Sequence, residues 1–415
     1  MKFNKWTVGL AAIGVVSLAS AVRADESKMS QVQTSLSNTT ISGYVDVAAQ
    51  WNPGTDSGAA INQNIPAYAF AKNDGFSLNA VDIALDKPMD ESPWAAGYHV
   101  ELMFGPDSAP NSGGAGANGG NAANIRQAYV ALRTPVGNGI DWKVGVFDTI
   151  IGYESTSDPL NPNYTRSYGY SIEPTTHTGV LATYKVCDAL SMSAGVADSS
   201  NIASGTPAIN GTSTFESQKT YLGSIVLTAP DSFGPMKGAT LTFGAINSVN
   251  SSQGVYFTGT RSSYYAGLTL PTPSNKVKFG AAFDYLNLNT TSSGNSDDIW
   301  VAGLYTTIQP TDKLSFNFRG EIVDATEIGS GVNGLFPTQY LGGPAAYLGH
   351  YAGEVTATVQ YQLWANVLSR VEFRWDHVDG NAFGYGQTTT VSSSTYSSPM
   401  KKNDFMLALN LIYQF

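Results

Sequence analysis

The residues of this chain that could do chemistry stand in rows rather than in a catalytic cluster. Arg319 and Glu321 are two positions apart, as are His99 and Glu101, and Arg370, Glu372 and Arg374 extend the same spacing. On an extended backbone every second residue points to the same side, so each row lays charges along one face of a strand. Lys143, Lys185, Lys278, Asp284 and Glu354 sit in similar alternating runs. Such charges can neutralise one another across neighbouring strands, or face water and act on passing ions. The segment from Ile150 to Thr176 adds Glu154, Asp158, Arg166 and Glu173, interspersed with Tyr153, Tyr164, Tyr168 and Tyr170.

Acid-base or hydrolytic chemistry finds weaker footing. His99, His177, His350 and His377 are scattered, and no pair has the spacing of zinc ligands. No nucleophile elbow, HExxH helix or phosphate loop occurs. His99 beside Glu101, or His177 between Thr176 and Thr178, would need a partner within hydrogen-bond reach that sequence alone does not place. No catalytic residue, metal or cofactor is expected.

The elements that must position these rows are short strands. Between Thr40 and Trp51, Ile41, Val45, Val47, Ala49 and Trp51 alternate with Ser42, Asp46 and Gln50. The same period of two runs through Gly97 to Phe104, Asp141 to Phe147, Lys276 to Tyr285, Lys313 to Val323 and Ser369 to Asp376. Charges fall almost wholly on one side. A soluble sandwich also alternates, but here the connections alternate as well. Short turns such as Thr134 to Gly139 and Leu363 to Asn366 are interleaved with long polar loops such as Gly105 to Asn124, Ile150 to Thr176 and Ala325 to His350. Short turns on one rim and long loops on the other mark an antiparallel transmembrane β-barrel. About 16 strands are expected, enough to enclose water; those near Tyr221 and Trp300 alternate poorly.

Composition agrees. Only 13% of residues are charged and 43 are glycine, against roughly 25% charged in ordinary globular proteins. Lys2 and Lys5, an apolar run from Trp6 to Leu18 and small residues at Ala19, Ala21 and Ala24 read as a secretory signal peptide. Cleavage after Ala21 or Ala24 fits equally. The expected organisation is a signal over 1–24, a polar leader over 25–39 and a barrel over 40–415. Loss of residues 1–24 removes three bases and no acid, moving the net charge from −10 to −13, so a nucleic-acid partner is not expected. Cys187 is the lone cysteine and closes no internal disulfide.

At the other end Phe405, Leu407, Leu409, Leu411, Tyr413 and Phe415 alternate with polar or small residues, and the aromatic Phe415 is last. This resembles the final strand of bacterial outer-membrane proteins, and the resemblance implies that the barrel-assembly machinery reads it. Two further blocks, QAYVALRTPVGNGIDWKVGVFDTIIGYE from Gln127 and RSYGYSIEPTTHTGVLATYKV from Arg166, resemble the OmpL-like outer-membrane β-barrel porin family. The stretch from Leu78 to Asp107 fits the same likeness, which implies a barrel assigned as a porin.

The expected function is passive diffusion of small hydrophilic solutes or ions through a lumen narrowed by the third external loop. In general 16-stranded porins, which the chain resembles in architecture, that loop folds inward. Folded inward here, its carboxylates would face Arg319, Arg370 and Arg374 across a narrow gap and set up a transverse field. The alternatives are a solvated surface loop with its aromatics on the rim, a plugged structural or surface-display barrel, and a barrel hydrolase. Outer-membrane lipid, small solutes and a homotrimer are the expected partners.

Overall fold

The computed structural model describes residues 38–54, 74–108, 123–198, 219–248, 259–272, 276–290, 296–324, 351–379, 388–391, 394–397 and 401–415. The expected signal peptide, nearly all of the leader and the interiors of several external loops lie outside the described residues.

Among the described residues eighteen strands follow one another: β1 (Thr40–Trp51), β2 (Gly75–Lys87), β3 (Ala95–Phe104), β4 (Ala123–Thr134), β5 (Ile140–Asp148), β6 (Thr176–Cys187), β7 (Leu190–Ala197), β8 (Thr220–Thr228), β9 (Thr240–Ser248), β10 (Gly259–Pro271), β11 (Val277–Thr290), β12 (Ser296–Ile308), β13 (Leu314–Asp324), β14 (Tyr351–Trp364), β15 (Val367–Val378), β16 (Thr388–Val391), β17 (Ser394–Ser397) and β18 (Asn403–Gln414). β16 and β17 pair only with each other. The other 16 form one closed antiparallel barrel in which every strand lies beside its sequence neighbours, with β15 passing to β18 and β18 to β1. Closure leaves no unpaired edge, so all backbone donors and acceptors of the wall can be satisfied within it.

The alternation in sequence is the cause of this arrangement. On β18, Phe405, Leu407, Leu409, Leu411 and Tyr413 face outward and are exposed, while Asp404, Met406, Ala408, Asn410 and Ile412 face inward and are buried. β13 and β15 behave alike: Phe318 and Ile322, Val371, Phe373 and Trp375 point out, and Arg319, Glu321, Arg370, Glu372, Arg374 and Asp376 point in. The seam closes on the last residue, since Gly43 and Phe415 exchange both backbone hydrogen bonds at 3.0 Å. One of the two-residue turns on the short rim is Ala365–Asn366, with Asn366 at φ 67°, a left-handed conformation asparagine tolerates.

β8 and β12 explain why their sequences alternate poorly. Their inward sides carry Leu222 and Val226, and Ile299, Val301 and Tyr305, all buried. The inner face of β12 is largely apolar and that of β8 mixes these residues with Thr220 and Ser224, because part of the barrel's interior is a packed core.

Candidate functional site

The segment between β5 and β6 holds that core. It leaves β5 with Ile150 and Ile151, which pack with Phe147, Leu181, Leu222, Ile246, Tyr265 and Tyr305 against the inner wall from β5 to β12. Tyr153 then stacks on Tyr305 with ring centroids 4.0 Å apart. Burying this apolar set fixes the direction in which the loop sets out, and that direction is inward.

Its further course is fixed by hydrogen bonds. Asn161 closes a local turn, accepting from the Ser155 amide at 2.8 Å and donating to the Ser155 and Ser157 carbonyls. Arg166 donates to Asp158 Oδ1 at 2.6 Å. Burial works against the charge of that guanidinium, and the Asp158 carboxylate more than compensates, raising its pKa above the ordinary arginine value. Ser167 caps a short helix, α1 (Tyr168–Ile172), by accepting from the Tyr170 amide.

The loop's tip meets the far side of the barrel. In the closed strand order β14 lies halfway round from β6, and the contacts are with β13, β14 and β15. Arg319 on β13 donates to Glu154 Oε1 at 2.6 Å and to Glu354 Oε1 on β14 at 2.8 Å. Glu372 on β15 accepts the amides of Tyr164 and Thr165 at 2.5 and 2.9 Å. Glu321 accepts the amides of Tyr168 and Gly169 at the start of α1, where unpaired N–H groups favour an anion. Arg374 holds the Arg166 carbonyl at 2.6 Å and pairs with Asp376, which also accepts from the Tyr168 hydroxyl. Arg370 donates to the carbonyls of Asp158 and Asn161. Tyr44 and Gln50 on β1 take further bonds from Asp158 and Tyr164. Glu173 returns beside Asp284 of β11; burial, then the neighbouring carboxylates of Asp284, Glu154 and Glu321, push its pKa well above the usual range.

Of the eight loop residues singled out in the sequence, seven are buried inside the barrel and Tyr153 is half-buried, but the expected gap between loop carboxylates and wall arginines is absent at Glu154 and Arg319. They touch, because a buried charge is tolerable only when paired. The wall residues Glu101, Asp284, Glu321, Glu354, Arg319, Arg370, Glu372 and Arg374 are buried inward. His99 lies between Asp86 and Glu101, at 3.1 and 3.4 Å, and stacks on Tyr129, whose ring also carries Lys143 Nζ at 4.7 Å. Lys185 sits at the short-turn rim and pairs with Asp188. Lys278 faces inward on β11 beside outward Phe279.

A family model, "Putative beta-barrel porin-2, OmpL-like", matches residues 38–415. The chain belongs to that family. It is an outer-membrane porin, and its fold is that of solved porins and channels. The anion-selective porin of Comamonas acidovorans superposes with a TM-score of 0.57 at 11% identity, covering 91% of this chain and 99% of that one. The outer-membrane channel DcaP of Acinetobacter baumannii gives 0.58 at 13% identity, covering 93% and 99%. OmpT of Vibrio cholerae, in a trimer form, gives 0.55 at 12%, covering 91% and 99%. No curated protein matches by sequence.

Sequence reasoning about this porin missed the apolar half of the site. Phe147, Leu222, Ile246, Tyr265 and Tyr305 carry no charge to attract notice. The signal was present as apolar residues on the wrong face of β8 and β12, where a wholly water-filled bore would have polar ones.

Proposed function

We propose that this porin passes small hydrophilic solutes by diffusion and that the segment Ile150 to Thr176 is the constriction that sets their size. The observation that carries this is the direct attachment of Glu154 to Arg319, because it ties a loop rooted at β5 and β6 to the opposite side of the ring. Toward the short-turn rim the bore is lined by partly exposed polar groups, among them His99, Asp86, Lys143 and Asp141, the last paired with the buried Arg133, which supports a wet path along β2 to β5. The occupied ring nitrogens of His99 favour a channel over a hydrolase. Deleting Asn161–Tyr170 tests the constriction: single-channel current should rise severalfold, and an unchanged current would refute it.

The apolar cluster gives substance to a second reading, a barrel plugged by its own loop, since it removes roughly half the circumference from the water-filled perimeter. Liposome swelling separates the two, because a plugged barrel admits no sugar. We infer further that the strand ending at Phe415 is the assembly signal, and that the apolar outer wall serves both lipid and two further copies in a trimer. Cross-linking in native membranes that yields only monomer would remove the trimer from the proposal.

A further inference from the structure

Arg261 is the exception among the buried arginines. Arg126, Arg133, Arg166, Arg319 and Arg374 each have a carboxylate oxygen within 2.8 Å or closer, and Arg370 is wrapped by two loop carbonyls. Arg261 faces inward on β10, only 3% exposed, and forms no ion pair among the described residues. Among the described residues its one hydrogen bond runs from Nη2 to the carbonyl of Ile172, the last residue of α1, at 3.3 Å, and Nε is sealed from water with no partner there. A guanidinium offers five N–H donors in a planar fork. One carbonyl at the end of a five-residue helix uses one of them and supplies a fraction of a charge. An uncompensated cation in such a place is strongly unfavourable.

The surroundings are those of a ligand site. Arg261 pairs directly with Ser248 on β9, and Ser248 with Thr220 on β8, so guanidinium and two hydroxyls form one row on the inner wall. Thr220 Oγ1 and Ser248 Oγ lie 2.5 Å apart and both residues are 1% exposed. Along the wall Leu286 and Ile299 are fully buried, giving the low-dielectric backing in which charge-assisted bonds gain strength. β10 starts at Gly259, so the row lies at the long-loop end of the inner wall.

We propose that Arg261, with Ser248 and Thr220, forms an oxyanion site that receives the carboxylate or phosphate group of a small solute. The guanidinium fork takes two oxygens of the anion, the hydroxyl row takes a third contact, and the charge left open by the fold is closed. The site is read without reference to conductance, so its outcome is independent of the constriction.

The test uses the full mature chain in detergent micelles, at constant ionic strength, with inorganic phosphate, acetate and chloride in separate arms. Phosphate or acetate should raise the unfolding temperature by at least about 2 °C at saturation with chloride inert, and Arg261→Met should abolish the rise. Which oxyanion acts assigns the group; no response to either, or a response that persists in R261M, overturns the proposal. Hydrogen exchange on the wild-type chain covers the case in which R261M does not refold. Phosphate or acetate should then protect amides around Thr220, Ser248 and Arg261, and protection confined elsewhere, or none, rejects the site.

Discussion

Arg319 on β13 and Glu154 in the loop after β5 meet at 2.6 Å with both side chains fully buried, a contact between parts of the chain on opposite sides of the barrel. Because Arg319 also holds Glu354, Glu154→Gln leaves the arginine one carboxylate and costs about 1–3 kcal/mol rather than a whole buried pair. The loop's tip should loosen while the barrel stays closed. Expected in planar bilayers are a larger and noisier single-channel current and an unaltered circular-dichroism spectrum. A quiet, wild-type current would mean that the pair does not restrain the loop.

The other end of the loop is held by close packing. A Cβ on Gly280 would lie 1.9 Å from the Tyr153 hydroxyl, and one on Gly244 would lie 2.4 Å from Ile151 Cγ2. Gly280→Val therefore pushes Tyr153 off Tyr305, and Gly244→Val pushes Ile151 out of the apolar cluster. Both should enlarge the current and accelerate protease cleavage within 150–175. The same substitution at Gly223, where an added Cβ meets nothing, is the control and should do neither.

The barrel was legible because membrane and water impose the same rule on most strands: on β13 and β15 apolar outward residues alternate with polar inward ones, and on β1 and β18 the outward row is apolar while the inward row mixes polar and small or apolar residues. The loop tyrosines and the rows Arg319–Glu321 and Arg370–Arg374 were legible as residue types at a period of two. That Glu154 would touch Arg319 was not. Contact between them depends on how far a loop reaches across a ring of strands, which is set by Ile150, Ile151 and Tyr153 finding Leu222, Ile246 and Tyr305. No local pattern encodes that distance.

Glu173 gives the site a pH dependence of definite sign. Burial, then Asp284 beside it and Glu154 and Glu321 near by, raise its pKa well above the usual value, while the unfolded chain has about 4.3. A raised folded value means stability complete below about 4.3 and lost as pH climbs through the folded value. The loop should thus be most tightly held in acid and loosen on the alkaline side. Unfolding temperatures measured from about pH 4 to pH 9 should fall more steeply for the wild type than for Glu173→Gln, which keeps a hydrogen bond to Asp284 without a titrating proton. Parallel curves would assign the dependence to other groups.

The β1–β18 seam that closes the ring runs from the Trp51–Leu407 pair to the final residue. Phe415 and Gly43 exchange two backbone bonds, and the Phe415 ring passes over Gly43, where an added Cβ would meet its Cζ at 2.8 Å and the Asp82 carbonyl at 2.1 Å. Removing Phe415 deletes both bonds and leaves the Gly43 amide and carbonyl of β1 without their partners at the rim end of the seam, at a cost of about 1–3 kcal/mol per unsatisfied group. Gly43→Val attacks the seam differently, by driving β1 from β2. Both variants should lower the heat-modifiable, folded fraction recovered from membranes. If Phe415 serves mainly as an assembly signal, its removal should reduce that fraction in cells far more than in detergent refolding, whereas G43V should reduce both alike. Equal losses for the Phe415 deletion in cells and in detergent would place its role in closure alone.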